Sequence, residues 1–354
     1  MGSSFGNIFR INTWGESHGP ALGVVIDGCP AGLPMSEEII QHDLDRRRVG
    51  QSKVTSPRQE RDRVTILSGV FEGYTTGAPI SLITYNADAD SSKYDIIRDR
   101  FRPGHADYTY HVKYGRRDHR GGGRSSARET WGRVAAGAVA RALLATVDVD
   151  VYAFVRQLNT IKMETFERAE IDQNLVRCPD PVAAQLMVEA VMAAKEDNDS
   201  IGGIIEIRAE NVPPGWGEPT MDKLDALIGH AMLSIPAVKG VEIGMGFDAA
   251  TMHGKDHNDG FYMDNGRVRT ISNNAGGMLG GISSGEQIVA RIVVKPTSSV
   301  SQEQRTVDLE GNDRTILVEG RHDPSICPRA VPVAEAMMAL VLADLYLLNR
   351  ASQI

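Results

Sequence analysis

The chain has 354 residues, 42% of them hydrophobic and 24% charged, which supplies material for a core and excludes a disordered or fibrous protein. Thirty-eight Lys and Arg stand against 46 Asp and Glu, for a net charge of -8; this excludes nonspecific coating of nucleic acid or anionic lipid and leaves room for a basic site for one small anion. Cys29, Cys178 and Cys327 fit neither a disulfide framework nor a CxxC motif, residues 1–14 lack a signal-peptide pattern, and the apolar stretch 333–348 is broken by Glu335 and Asp344, so a cytoplasmic chain that does not span a membrane is expected.

The apolar, β-branched run 22–26 predicts a strand. Ser36, followed by Glu37 and Glu38 and later by Arg46, Arg47 and Arg48, predicts a helix whose charges match its dipole at both ends. Runs 64–67 and 80–85 predict two more strands. Ser126-Ala127-Arg128-Glu129 is a capping-box pattern ahead of the small and apolar run 134–144, and predicts a helix start. Asp180 before Pro181 predicts another, with the acid as N-cap and proline at the first helical position. Strands are expected at 204–207 and 288–294, and helix starts at Thr220 and Pro332. This mixed order predicts an α+β fold. No low-complexity linker or fixed-period repeat divides the chain, so one domain over residues 1–354 is expected.

Charge is concentrated in residues 98–133, which hold ten Lys or Arg against four acids. Inside this window Gly121-Gly122-Gly123-Arg124-Ser125-Ser126 leads into the predicted helix. That order places backbone N–H groups, two hydroxyls and a positive dipole end together, an anion site in outline. A solvated basic loop before an ordinary helix, or an RNA surface using Tyr108, Tyr110 and Tyr114 among the cations, are the competing readings. Arg102-Pro103-Gly104-His105 adds a histidine among arginines, whose pKa like charge should lower until an anion arrives.

Gly15-Glu16-Ser17-His18-Gly19 matches the GxSxG elbow of serine hydrolases, but the following run 22–26 reads as a strand where the elbow requires a helix. His18 is then a candidate general acid or base with the Ser17 hydroxyl beside it, or a histidine held in a structural turn. Arg321-His322-Asp323-Pro324 combines three polar chemistries ahead of a helix, and Lys295-Pro296-Thr297-Ser298-Ser299 offers a cation and three hydroxyls after a strand. His253 and His257 sit in a Gly- and Asp-rich stretch that does not read as a metal site. Gly276-Gly277-Met278-Leu279-Gly280-Gly281 has neither the preceding strand nor the downstream acid of a dinucleotide fingerprint.

Several of these segments together resemble the chorismate synthase family along essentially the whole chain. The resemblance rests on Gly15-Glu16-Ser17-His18-Gly19 with residues 23–30, on Gly123 to Thr130 running into Gly137, and on Gly320-Arg321-His322-Asp323-Pro324. Residues 42–48, 101–108 and 295–299 also look like family segments. Val49 and the Ser325-Ile326-Cys327 sequence depart from the expected pattern without replacing a candidate group.

The resemblance implies a lyase that eliminates phosphate from 5-enolpyruvylshikimate 3-phosphate in an anti-1,4 sense to give chorismate. It also implies dependence on reduced FMN without net redox, a homotetramer, and a β-α-β sandwich subunit with helices between antiparallel sheets. His18 would protonate the departing phosphate with Ser17 beside it, His105 would protonate or hold the reduced flavin, and Asp323 would assist proton removal at the flavin. Arg47, Lys53, Arg102, Ser126, Arg128 and Arg321 would clamp the substrate. FMN would contact Arg124, Ser125, Ser126, Pro236, Ala237, Gly280, Lys295, Pro296, Thr297, Ser298, Ser299 and Arg321. No metal is implied, and NADPH would act only through an external flavin reductase, since the chain lacks the long insertion of the bifunctional fungal members.

Overall fold

In the structure, a computed structural model that describes residues 2–50, 54, 62–86, 97–318 and 322–352, the β-branched runs build two five-stranded antiparallel sheets. The first contains β1 (Ser4–Phe5), β2 (Arg10–Gly15), β3 (Ala21–Asp27), β4 (Thr65–Ser68) and β5 (Ile80–Tyr85). Its centre is β3, paired with β2 on one side and β5 on the other. The second contains β6 (Asp150–Leu158), β7 (Ile161–Lys162), β8 (Gly203–Glu210), β9 (Val238–Ile243) and β10 (Ile288–Val294). Here β8 is central, between β6 and β10.

The described helices of eight or more residues are α1 (Glu37–Arg47), α2 (Asp107–Tyr114), α3 (Thr130–Ala145), α4 (Pro181–Glu196), α5 (Leu224–Leu233) and α6 (Cys327–Asn349). Helix α3 packs on β3 and on α6, while α6 packs on β6 and β8, so helices fill the space between the sheets and the predicted α+β sandwich is what forms. Small residues make this possible. A Cβ on Gly132 would lie 3.0 Å from Thr13 Cγ2, and one on Gly137 would run into Ala336, so α3 meets both the sheet and α6 at backbone distance.

By length and composition α6 could cross a membrane, yet 83% of its apolar window is buried within the fold. Its two acids are buried and used. Asp344 accepts from the backbone N–H groups of Asn7, Ile8 and Phe9 at 2.7–3.0 Å, fixing the chain as it enters β2. Glu335 takes the Arg46 guanidinium and the Ala153 N–H, tying α1 and β6 to the central helix. Each carboxylate replaces its lost hydration with charge-assisted hydrogen bonds. All three cysteines are free and buried, and burial pushes the Cys327 thiol up to about 12.

Three helix starts differ from the sequence expectation. The helix expected at Pro332 begins at Cys327, with Pro328 in the first turn and Pro332 inside; the first proline costs no hydrogen bond because early N–H groups have no helical partner. The helix expected at Thr220 begins at Leu224, whose N–H is drawn to the Gly281 carbonyl at 2.8 Å. At Ser126 no capping box forms. Ser126 caps a 3-10 turn, Ala127–Glu129, and Glu129 turns instead to Thr13 and Arg133 before α3 begins at Thr130. Ser36 and Asp180 cap α1 and α4 as predicted.

Candidate active site

Loop ends from both halves of the sandwich converge on a cavity of about 430 Å³. It is lined by His18, Arg47, Arg102, His105, Ser125, Ser126, Arg128, Pro236, Ala237, Asp323 and the whole of Lys295 to Ser299, all singled out from sequence. Segments as far apart in the chain as His18 and Asp323 therefore meet at one place.

His18 sits on the turn between the antiparallel strands β2 and β3, a position incompatible with a strand-to-helix nucleophile elbow. Ser17 is buried, and its hydroxyl lies 3.1 Å from His18 Nδ1, so it orients the ring instead of facing the cavity. Gly121 also stands against the ring, where a Cβ would lie 2.3 Å from Nδ1. The glycine cluster thus serves close approach to His18 as well as the turn it makes.

The arginines are organised by carboxylates. Arg47, in the last turn of α1, is 2% exposed and spends its donors on Asp62 (2.7 Å), Thr130 Oγ1 (3.0 Å) and the Ala127 carbonyl (3.0 Å). Asp62 also pairs with Arg128, whose Nε donates to Asn86 Oδ1 at 3.0 Å. Arg102 aims its fork at Asp107, with Nε and Nη2 both at 2.8 Å, and Arg117 reaches the same acid at 3.1 Å. Against the cost of burial, Arg102 and Arg117 hold the Asp107 carboxyl below its usual range. Burial, opposed by Asp62 and reinforced by Arg329 and Arg128, brings the Arg47 guanidinium down to about 10. Arg47 and Arg102 therefore act on the cavity through their field, while their hydrogen bonds are committed to the protein.

His105 presents Nδ1 to the Pro103 carbonyl at 3.0 Å and Nε2 to the Ser299 hydroxyl at 2.8 Å. A carbonyl can only accept, so Nδ1 carries the hydrogen and neutral Nε2 accepts from Ser299. The His105 pKa is lowered, as the sequence predicts, although burial outweighs Arg102 as the cause. Gly104, at φ +70°, lies so close to Ser298 that a Cβ would sit 2.7 Å from its Oγ, and Lys295 Nζ donates to the Gly104 carbonyl at 3.1 Å. The two loops are thereby laced together.

Two named residues fall elsewhere. Arg124 turns away to bind Gly15 O, Thr13 O and Thr13 Oγ1, pinning the glycine loop to β2. Gly280 lies in the tight turn between the two-residue strands Met278–Leu279 and Ile282–Ser283, outside the cavity lining. Lys53 and Arg321 lie outside the described residues.

The structure adds Asp62, Asn86, His322 and Arg329. Arg329, in the first turn of α6, bonds Asp323 and donates from Nε to the Arg47 carbonyl at 3.1 Å. A cation in a first helical turn opposes the dipole, but the expected helix start at Pro332 left Arg329 outside the helix and without that signal. His322 stands within a motif already noted, whereas Asp62 and Asn86 carry no pattern that marks them.

The cavity suits a bound flavin phosphate or similar group on one direct count: Thr297 Oγ1 is buried, lines it, and has no hydrogen-bond partner among the described residues.

Comparison with known proteins places the whole chain in one family. The family profile described as chorismate synthase matches residues 9–347. A chorismate synthase of Chloroflexus aurantiacus is 60% identical over 354 residues, covering 100% of this chain and 97% of that protein. One from Methanosarcina mazei is 57% identical over 348 residues, covering 97% and 95%. A crystal structure of chorismate synthase superimposes with a TM-score of 0.79 at 33% identity, covering 97% of this chain and 93% of that one. Since the match includes every cavity-lining segment, the chain is an enzyme of the lyase class and belongs to the chorismate synthase family.

Proposed function

We propose that this chain converts 5-enolpyruvylshikimate 3-phosphate to chorismate by anti-1,4 elimination of phosphate, as a carbon-oxygen lyase acting on phosphates, with reduced FMN required and not consumed. The observation that carries the reading is the convergence of His18, His105, Asp323 and a group of guanidiniums on one cavity in a chain of this family. A substrate with one phosphate and two carboxylates brings roughly -3.5 to -4 of charge. Arg47, Arg102, Arg128, Arg329 and Lys295 outnumber Asp62, Asp107 and Asp323 around the cavity, which gives such an anion a favourable field.

Arg128 and Ser126, at the start of the segment leading into α3, hold the anionic groups, and Arg47 and Arg102 add fixed positive charge behind them. His18, steered by Ser17, gives a proton to the departing phosphate. The Lys295 to Ser299 loop, Ser125 and the Pro236-Ala237 turn hold the flavin, with Thr297 Oγ1 supplying a hydrogen bond that the protein leaves open. Reduced FMN, when bound, supplies transient electron density to the allylic phosphate. His105, neutral and held between Pro103 and Ser299, lies beside that region, and Asp323, clamped by Arg329, assists removal of the C6 proton that the substrate loses as its C–O bond to phosphate breaks. Lys53, Arg321, Arg124 and Gly280 remain with the expected binding set on family resemblance alone. We extend the reading to a single catalytic domain over residues 1–354, a cytoplasmic homotetramer in aromatic biosynthesis, and a supply of reduced FMN by a separate NADPH-dependent reductase, with no nucleic acid, membrane or metal partner.

Anaerobic incubation with 5-enolpyruvylshikimate 3-phosphate and dithionite-reduced FMN tests it. Chorismate absorbance and released phosphate should rise together with no net flavin oxidation. Folded protein that binds FMN and yields neither product would overturn it.

A further inference from the structure

Asn86 follows β5 and makes hydrogen bonds to two parts of the cavity wall that the chain separates. Its Nδ2 donates to the Gly19 carbonyl at 2.6 Å and to the Glu16 carbonyl at 3.1 Å, the two ends of the turn that carries His18. Its Oδ1 accepts from Arg128 Nε at 3.0 Å, and its backbone N–H donates to the Pro20 carbonyl at 3.0 Å. The partners dictate which way the amide faces, because a guanidinium only donates and a carbonyl only accepts. Both ends of the amide are therefore satisfied in one orientation alone.

We propose that Asn86 is a positioning residue that ties the turn bearing His18 to the guanidinium of Arg128, so that an anion drawn to Arg128 meets the imidazole at a fixed separation. The turn's own backbone bond, Gly19 N–H to Glu16 O at 3.1 Å, closes it without fixing where it sits relative to α3. Asn86 supplies that link at the turn, and Asp62 holds the other side of Arg128. Asn86 is only partly buried and adds no apolar packing, so its contribution lies in these bonds and not in the core.

The two halves of the tie can be cut separately. Asn86→Asp keeps an oxygen for Arg128 but sets a carboxylate against two carbonyl oxygens, whereas Asn86→Ala removes both halves. The kinetic comparison rests on the lyase reading. Asn86→Asp should raise KM only about threefold and lose about tenfold in kcat, and Asn86→Ala should lose about tenfold in kcat and raise KM about tenfold. Two further readouts do not depend on turnover. Calorimetric affinity for inorganic phosphate should weaken only about threefold in Asn86→Asp, where the new carboxylate offsets part of the Arg128 charge but keeps Arg128 in place, and about tenfold in Asn86→Ala, where Arg128 is released. The His18 ring titration followed by NMR should shift in both variants.

If wild type binds phosphate without turning over, the lyase reading fails while phosphate affinity and the His18 titration still judge the tie. Variants that match each other in phosphate affinity and in both kinetic constants, or that both match wild type, would overturn it. Should Asn86→Ala fail to fold, Asn86→Asp against wild type decides on the same three measurements.

Discussion

Asp62 accepts a hydrogen bond from Arg47 Nη1 at 2.7 Å with side-chain exposures of 0% and 2%, an ion pair shut away from solvent at the back of the cavity. The same carboxylate takes Arg128, so one acid separates two guanidiniums that would otherwise repel. Its backbone carbonyl also accepts from Trp131 Nε1 at 3.1 Å, anchoring it to α3. Removing one partner of a buried pair leaves the other charge uncompensated, which typically costs about 3–5 kcal/mol. Asp62→Ala should lose stability on that scale in urea unfolding, and Asp62→Asn less, since one acceptor survives. A loss below about 1 kcal/mol for Asp62→Ala, the range of an exposed pair, would show that Arg47 is compensated from elsewhere.

How far the sequence discloses this site depends on how local each signal is. Ser36 and Asp180 announce their helices because an N-cap needs only the next three residues. The strand 80–85 has the boundaries its apolar, β-branched run predicts. Glu129 satisfies the capping-box spacing, yet Thr13 and Arg133 compete for it successfully in three dimensions. His18, His105 and Asp323 are legible because family motifs surround them. Asp62 and Asn86 are not, because each acts only through partners brought from other elements, Asp62 through α1 and the segment entering α3, Asn86 through the β2–β3 turn. Arg47 and Arg102 are legible as cations but not as residues whose forks are already spent, since the acids that engage them are chosen by folding.

Gly121 faces the His18 ring at φ +156°, with no room for a Cβ between them. Gly121→Ala must push the imidazole from its place while leaving the core untouched. A positioned general acid contributes about 10²–10⁴ in rate. The variant should therefore lose at least about 10² in kcat with a melting temperature near that of wild type, approaching His18→Ala. Gly122→Ala, where the new methyl meets Ser126 at 3.2 Å, tests whether the effect belongs to the loop in general and should lose less.

The pKa of His105 is lowered from 6.5, first by burial and then by Arg102. Between 6.5 and that lower folded value, the unfolded chain binds a proton that the folded chain refuses. The contribution to stability is therefore fully present above pH 6.5 and is lost as pH falls through the folded value. His105→Gln removes the titrating ring, so its urea midpoint should fall less than that of wild type between pH 7.5 and 5.5. An anion in the cavity has the opposite influence on the ring and should raise its pKa, giving proton uptake on ligand binding. Calorimetry in buffers of different ionisation enthalpy reads that uptake, and its absence near and below pH 6.5 would contradict the linkage.

Arg329 joins Asp323 to Arg47 at the mouth of α6 through two separate groups: Nη1 bonds the Asp323 carboxylate, and Nε donates to the Arg47 carbonyl at 3.1 Å. A lysine ammonium is a single point on a flexible stem and cannot serve both partners in one geometry. Arg329→Lys should preserve the cavity's charge, and with it KM, while releasing Asp323 from its orientation. A hydrogen bond to a charged group contributes about 1.5–3 kcal/mol, so a fall in kcat of tenfold or more is expected in the flavin-dependent assay. Arg329→Met removes the charge as well and should raise KM in addition. The ratio between the two variants separates field from orientation. If Arg329→Lys turns over at the wild-type rate, Asp323 takes its orientation from other contacts and Arg329 contributes charge alone.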